Sequence, residues 1–580
     1  MKKRGLYIIV SLMFFSCATK HKSYIISPEN SINTAIKKLL PGDTLFLRGG
    51  IYREIVKISN SGKEDLPIVI KAFPGEKVVL SGTEEIKNWT KVKENYYKSF
   101  CPREVLQLFY KGKMLMPARW PNIDSMFDQK GWTAIRTKRD STSFPGYSWP
   151  KDYWNGAFCF ALTGEKWVVN VETVKNNNGG ALNMKGTWFN YTSGKYTGDG
   201  KGYIIQHLNA LDTLNEWHWQ NDTVYAMLAE DPEKSGLVEG QTKKIILSGE
   251  NISDVVLKNI SVFGGRIELL NAKNVLLDNV DISFGTPIQS YEYSNGCAYA
   301  AMEFKGESKK CVIKNSKIKG NWGSGVYMEG DGNEVYNCEI FDCNWMGNGS
   351  ACIGTVGKNH IVMNNTLFNS GKFLIVHCNT HKILIKYNHL YNGGYLANDL
   401  GLTYAYTTRG EGSEIAYNWV HDNWAENAGA GIYIDTECHD FLIHHNVVWN
   451  CYSGIQTIMN AFDHQIYNNT VWACVKSFHY WGPMGSNMYH QKAYNNLTNE
   501  KLNLGIGNDE RYNLLADSTQ FVNARLHDFR LVKKAKAIDY GLYIKGITEH
   551  FSGARPDAGA YEFGREAWVP GYDSTCVYAD

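Results

Sequence analysis

The segments VVLKNISVFG (Val255–Gly264) and VLLDNVDISFG (Val275–Gly285) share one plan: two or three aliphatic residues, an asparagine, then an alternating stretch. The plan recurs downstream as CVIKNSKIKGN, NEVYNCEIFDCN, HIVMNNTLFNS, LIKYNHLYNGG, EIAYNWVHDN, LIHHNVVWNC, QIYNNTVWAC and KAYNNLTNE. It aligns Asn259, Asn279, Asn315, Asn337, Asn365, Asn388, Asn418, Asn446, Asn469 and Asn496. Most steps are roughly 20 to 30 residues, the period at which each unit is one supersecondary element stacked on its neighbours. Each unit holds runs rich in Val, Ile, Tyr and Thr, punctuated by Gly and Asn, with no useful helical period. Coils of a parallel β-helix lie about 4.8 Å apart, so an asparagine at one point of every coil can stack and satisfy turn backbone groups. The repeat therefore predicts an all-β, right-handed parallel β-helix, the hand being that of parallel crossovers in general.

Outward from the repeat, the chain divides into further segments. MKKRGLYIIVSLMFFSCATK has a basic start, an apolar run from Leu6 to Phe15, then Ser16 and Cys17. The run is too short to span a bilayer, which predicts a secretion signal over 1–17. A small residue before cysteine resembles a bacterial lipobox, which implies cleavage and lipidation at Cys17. The expected location is the cell envelope, as an outer-membrane lipoprotein or in the periplasm, with membrane contact only through the anchor. Residues 24–95 read as a cap helix and first coils, the helix hiding the open end of the solenoid. Residues 96–244 lose the asparagine signature and read as an inserted, β-rich, sandwich-like domain, before IILSG (Ile245–Gly249) nearly repeats VVLSG (Val78–Gly82). Residues 245–500 form the main helix and 501–580 the last coils and a cap.

Composition removes several classes. Of 580 residues 43% are hydrophobic, and the formal charge is +2 with histidine neutral, so no basic footprint invites nucleic acid. Thirteen cysteines show no CxxC or Cys/His ligand spacing, and Cys338, Cys451 and Cys474 follow the repeat's asparagine segment, where small buried residues belong. The pairs His444/His445 and Cys438/His439 are neighbours on a strand and point to opposite faces, so no metal is expected. Seventeen tryptophans and thirty-five tyrosines supply rings that stack on sugars and core alike.

Aligning the coils gathers titratable residues at one strand end: Glu303, Glu329, His377, Tyr406, Asp435, the region of Gln456, and His479 with Tyr480. A purely structural solenoid would place Thr, Ser or Asn there; this row resembles a cleft. Asp435, in GAGIYIDTE, follows glycines at the end of a strand. Asp399 opens the preceding NDLGLTYAYTTRGEG at the turn entering the same face. Glu437, two residues past Asp435, shares its side if the strand stays extended. Cleavage of a glycosidic bond needs two carboxyl groups, about 5 to 9.5 Å apart, one protonated and one ionised. Asp435 with Glu437 or Asp399 is the expected catalytic set. Glu303, Glu329, His377, Tyr404, Tyr406, Arg409 and His479 are expected to shape the sugar subsites.

The segments NDLGLTYAYTTRGEGSEIAYNWVHDN, GAGIYIDTECHDFLIHHNVVWN, LPGDTLFLRGGIYRE and MPARWPN resemble bacterial parallel β-helix glycoside hydrolases of the xylosidase and fucosidase/xylanase types, families 120 and 141. The resemblance implies a two-carboxylate glycosidase in which Asp435 matches an acid in an IDLDD-like strand end. The xylosidase type carries its acid/base glutamate on the following coil, where this chain reads SGIQTIM, without an acid. PIVIKAFPGEKVVLSG also resembles the alginate and chondroitin lyase type. A lyase would use a base such as Arg409, His377 or Tyr406 and Ca²⁺ held by carboxylates; the hydrolase needs no cofactor. A third alternative is a glycan-binding envelope protein without turnover. The expected partner is a polysaccharide or oligosaccharide, and the expected state a monomer.

Overall fold

A computed structural model describes residues 21–187, 197–288, 297–482, 488–505 and 507–577; Cys17 and the leader lie outside the described residues. The strands of the helix are stacked in parallel into a 25-stranded sheet that supplies two of its faces and an 11-stranded sheet that supplies the third. One coil runs Leu384–Lys386, His389–Gly393 and Leu400–Ala405, and each strand pairs with its equivalent one coil later. The pleat directs Ile385, Leu390 and Leu402 into one continuous core that holds Cys338, Cys451 and Cys474 too. No described helix is long and apolar enough to cross a membrane.

The asparagines do not form the single column that the repeat suggests. Asn259, Asn279, Asn315 and Asn337 have positive φ, between 49° and 58°, and make the kink between the first two faces. Asparagine tolerates this left-handed conformation better than other residues with a side chain. Later coils put Asn364, Tyr387, Tyr417, His445, Asn468 and Asn495 at that point. Asn365, Asn388, Asn418, Asn446, Asn469 and Asn496 therefore lie one residue on, fully buried or nearly so. There each side chain bonds to the next: Asn388 Nδ2 donates to Asn418 Oδ1 at 3.0 Å, and Asn418 Nδ2 to Asn446 Oδ1 at 2.9 Å. Adjacent positions with adjacent duties read as one motif in the text because asparagine suits both.

His445 belongs to the kink column, which corrects the expectation that it points away from His444. Its φ of 52° breaks the strand alternation, and the two Nδ1 atoms lie 2.8 Å apart. Among the described residues no group of three or more His, Cys, Asp and Glu is placed to hold a metal.

At the N-terminal end, the helix Ile32–Ile36 starts at Ser31, whose side chain accepts from Thr34 N, and buries Ile32, Ala35 and Ile36 over the first coil. The insertion begins earlier than the text suggests. Strand Val78–Ser81 still belongs to the helix and pairs with Ser261–Phe263. Thr83–Glu85 already pairs with Val238–Gln241 in an antiparallel four-stranded sheet. A mixed sheet of five strands and an antiparallel sheet of seven follow before Ile245–Glu250 rejoins the third face, pairing with Val56–Ile58. VVLSG and IILSG thus occupy different faces of one coil, and the insertion replaces the turn between its second and third strands.

That placement carries the insertion along one edge of the 11-stranded sheet. Gln107 Nε2 donates to Phe284 O, Val169 N to Gly347 O, and Gln129 Nε2 to Tyr395 O, at 3.0, 2.9 and 2.6 Å. The turns of later coils become a seam between helix and insertion, and Asp399 stands at the end of one of them.

Candidate active site

On the 11-stranded sheet the register places Glu303, Tyr327, Gly354, Val376, Tyr404, Tyr433, Gln456 and His479 opposite one another in successive coils. Their neighbours Ile432, Ile434 and Ala405 are core residues, so this column faces outward. The next outward column holds Tyr406 and Asp435, each one residue beyond the paired Ala405 and Ile434.

Two coils interlock here through their tyrosines. Tyr404 Oη donates to Asp435 Oδ2 at 2.7 Å, and Tyr433 Oη donates to Asp399 Oδ1 at 3.3 Å. Tyrosine reaches across a coil spacing of about 4.8 Å, so each ring secures the acid of the neighbouring coil. Asp435 is 5% exposed, and its Oδ1 also accepts from Thr436 N at 2.6 Å and Thr436 Oγ1 at 2.8 Å. Three donors fix the orientation of this carboxyl group. Asp399 sits differently, at the turn ahead of Leu400–Ala405, with φ of 52°. Burial pushes its carboxyl above the usual range; Lys372 opposes that shift, and the charge of Asp435 adds to it.

Lys372, at the turn ahead of Phe373–Val376, completes the cluster. Its Nζ donates to Trp167 O of the insertion at 2.6 Å and lies 4.5 Å from the Phe373 ring centroid. Burial brings its ammonium down to about 8, against the opposing pull of Asp399 and then Asp435. Beyond Tyr433, Gln456 Oε1 lies 3.0 Å from His479 Nδ1, which is 3.1 Å from Ser453 Oγ. Burial lowers His479, and Lys476 lowers it further. The arrangement offers one carboxyl whose proton affinity burial raises, one carboxyl fixed by donors, and one cation that interacts with both. These are the parts of general acid and base chemistry at a single bond.

Several expected site residues lie elsewhere. Glu437 has φ of 56°, so the chain turns left-handed after Asp435, extension fails, and the glutamate is exposed to solvent. His377 faces the core, pairing through its backbone N–H with Tyr404 O. It is fully buried, both ring nitrogens lack a hydrogen-bond partner, and burial lowers it to about 3. Arg409 starts a strand of the 25-stranded sheet, outside the acid cluster, and faces Glu411 at 3.7 Å. Tyr406 is beside Asp435 and 46% exposed.

Glu303 aligns with Tyr327, and Glu329 falls in the next outward column. Glu303 Oε1 accepts from Ala300 N at 3.0 Å, Arg266 and Lys305 stand 3.8 Å from Oε2, and burial lifts its carboxyl to about 7. Tyr327 Oη donates to Glu329 Oε1 at 2.9 Å. In this second acidic group Glu303 is four strands from Tyr404 and Glu329 three, roughly 19 and 14 Å along the axis.

Lys372 and Tyr433 escaped the sequence reading. Lys372 stands at the start of its strand, outside a comparison of strand ends, and Tyr433 is embedded in the apolar run GAGIYI. The near-vertical pairing of Tyr404 with Tyr433 is the signal that would have found the latter.

Comparison with known proteins agrees with this architecture. A family described as right handed beta helix region matches residues 293–471, and chondroitinase B matches residues 26–118. Pectate lyase PEL9 of Emericella nidulans is 37% identical over 62 residues, 10% of this chain and 15% of that protein. A solved structure described as a glycoside hydrolase superposes with a TM-score of 0.60 at 13% identity, over 85% of this chain and 96% of that one. XylC in complex with xylose gives a TM-score of 0.49 at 14% identity, over 83% and 76% of the two chains. The chain is a right-handed parallel β-helix protein and shares its fold with the superposed glycoside hydrolase.

Proposed function

We propose that the protein is a glycoside hydrolase that cleaves a polysaccharide or a derived oligosaccharide, with Asp399 as general acid and Asp435 as the ionised carboxylate. The observation that carries this reading is the crossed pair of tyrosine–aspartate bonds, which joins two acids in unequal surroundings on one outward face. Desolvation raises the proton affinity of Asp399, which then passes a proton to the departing sugar oxygen, while Asp435 acts on the sugar carbon or on a water. Lys372 limits the repulsion that would otherwise keep both from coexisting. Tyr404, Tyr406 and His479 contact sugar at the cluster, and Glu329 does so farther along the same face, while burial keeps Glu303 from the contact expected of it. The enzyme works in the cell envelope, held through a lipid on Cys17.

Lys372 also favours a second reading. An amine brought down to about 8 is a competent base for β-elimination at a uronic acid, the reaction of the lyases that share this fold. One experiment separates the two: incubation with plant, algal and host glycans, followed by product analysis. A hydrolase yields saturated reducing ends, works in the presence of a chelator, and fails as Asp435→Asn. A lyase yields products with new ultraviolet absorbance and fails as Lys372→Met.

A further inference from the structure

The seam between insertion and helix holds a cavity of about 400 Å³, next to the acid cluster and separate from it. Three rings form its wall. Phe127 of the insertion stacks on Tyr395 with centroids 5.0 Å apart and planes 26° apart, and Tyr395 lies parallel to Trp424 at 6.4 Å and 12°. Elsewhere on the helix, aromatic ladders such as Phe341–Phe368–Tyr391 stack at 4.7 and 5.0 Å, so the rings spend their faces on each other. Trp424 is different: it is 57% exposed, yet its Nε1 donates to Asn392 Oδ1 at 2.9 Å. A large apolar ring held in one orientation and left open to water presents a platform for a flat apolar ligand face.

Polar groups ring the platform with balanced charge. Glu426 lies 3.5 Å from Lys166 and 3.2 Å from Lys201, and Asp128 and Lys130 line the same cavity. Paired charges of both signs around an aromatic wall suit a ligand with many hydroxyls and no net charge.

The backbone links this cavity to the acid cluster. Asn398 lines it and donates its N–H to Lys166 O at 2.9 Å, and the next residue is Asp399, whose own N–H donates to Asn427 O at 3.4 Å. We propose that the Phe127–Tyr395–Trp424 cavity is a sugar subsite that takes a neutral pyranose unit of the glycan whose scissile linkage lies at Asp399 and Asp435. This rests on the hydrolase reading and extends it: the insertion is then part of the binding site, and the substrate has at least one neutral unit beyond those at the cleaved bond.

The test uses the full chain as Asp435→Asn, titrated by calorimetry with xylose, galactose, glucose and fucose oligomers of increasing length. At least one series is expected to bind more tightly with length, and Trp424→Ala in the same background should weaken its longer members by about tenfold or more. Trp424→Phe, which keeps an aromatic face, should restore part of that loss. Binding equal in the presence and absence of Trp424, or no binding by any neutral series, overturns the subsite. Loss of binding in Trp424→Ala beside undiminished turnover in Asp435→Asn keeps the subsite and overturns the assignment of the acids.

Discussion

Tyr404 and Asp435 belong to neighbouring coils, 31 residues apart in sequence, and meet through an Oη–Oδ2 hydrogen bond of 2.7 Å. The bond exists because parallel stacking sets Tyr404 against Tyr433, leaving Asp435 two residues farther along its own strand. Hydrogen bonds to a charged group contribute about 1.5 to 3 kcal/mol. Tyr404→Phe should therefore lower kcat/KM by roughly ten- to a hundredfold, with a loss of stability no larger than about 3 kcal/mol. Wild-type kinetics in this variant would separate the tyrosine from the chemistry.

Lys372 makes a prediction about pH. Its positive charge draws the carboxyl of Asp399 down against burial, so removing it leaves the proton of Asp399 held more tightly. If Asp399 is the acid, activity falls as pH rises through its titration. In Lys372→Met that alkaline limb should move to higher pH while kcat/KM drops. A limb that stays in place would show that the ammonium does not act on the acid.

Glu303 links pH to stability. Its folded carboxyl is lifted to about 7 by burial, whereas an unfolded glutamate titrates near its ordinary value. Between those two values the native state binds more protons than the unfolded one, so stability falls as pH rises. The group's favourable state is intact below about 4.5, and up to roughly 3 kcal/mol is lost by pH 8. Glu303→Gln should flatten the decline in melting temperature between pH 5 and pH 8; an equally steep decline would place its origin elsewhere.

His377 tests the inward assignment. A buried imidazole with no partner on either nitrogen costs desolvation that no hydrogen bond offsets. His377→Leu should be neutral or stabilising, by about 1 kcal/mol, and leave turnover intact. A large loss of activity would return His377 to the site.

The buried asparagine ladder should dominate the mutational stability of the coils. Asn418 Nδ2 donates to Ile385 O at 2.9 Å, and Oδ1 accepts from Asn388 N at 2.8 Å. Asn418→Ala strands both backbone groups in the core, at about 1 to 3 kcal/mol each, and thermal unfolding should report the sum. Asn259→Gly, at an exposed kink with φ of 58°, should change stability by a few tenths of a kcal/mol, since glycine adopts that conformation freely.

The solenoid was legible because every coil repeats the same local requirements: apolar residues at alternate positions, a left-handed kink, a buried amide. Asparagine met two of those requirements, and the text merged columns that the backbone keeps one residue apart. The approach of Asp399 and Asp435 to one face was legible from the same repeat. Glu437 was misplaced because a strand pattern does not mark the residue where extension stops, and φ changes sign there. His377 was misplaced for a related reason: the text does not fix where each strand ends to the residue, and a one-residue slip carries a side chain from the outward face to the core. Lys372 was invisible because it acts from a turn against a backbone carbonyl more than two hundred residues away in the insertion.

The most direct test of the whole account is product analysis of wild type, Asp399→Asn and Asp435→Asn on a glycan panel. The account predicts saturated reducing-end products from wild type and a fall of about 100- to 10,000-fold in each variant. Unsaturated, ultraviolet-absorbing products, or turnover that survives both substitutions, would contradict it.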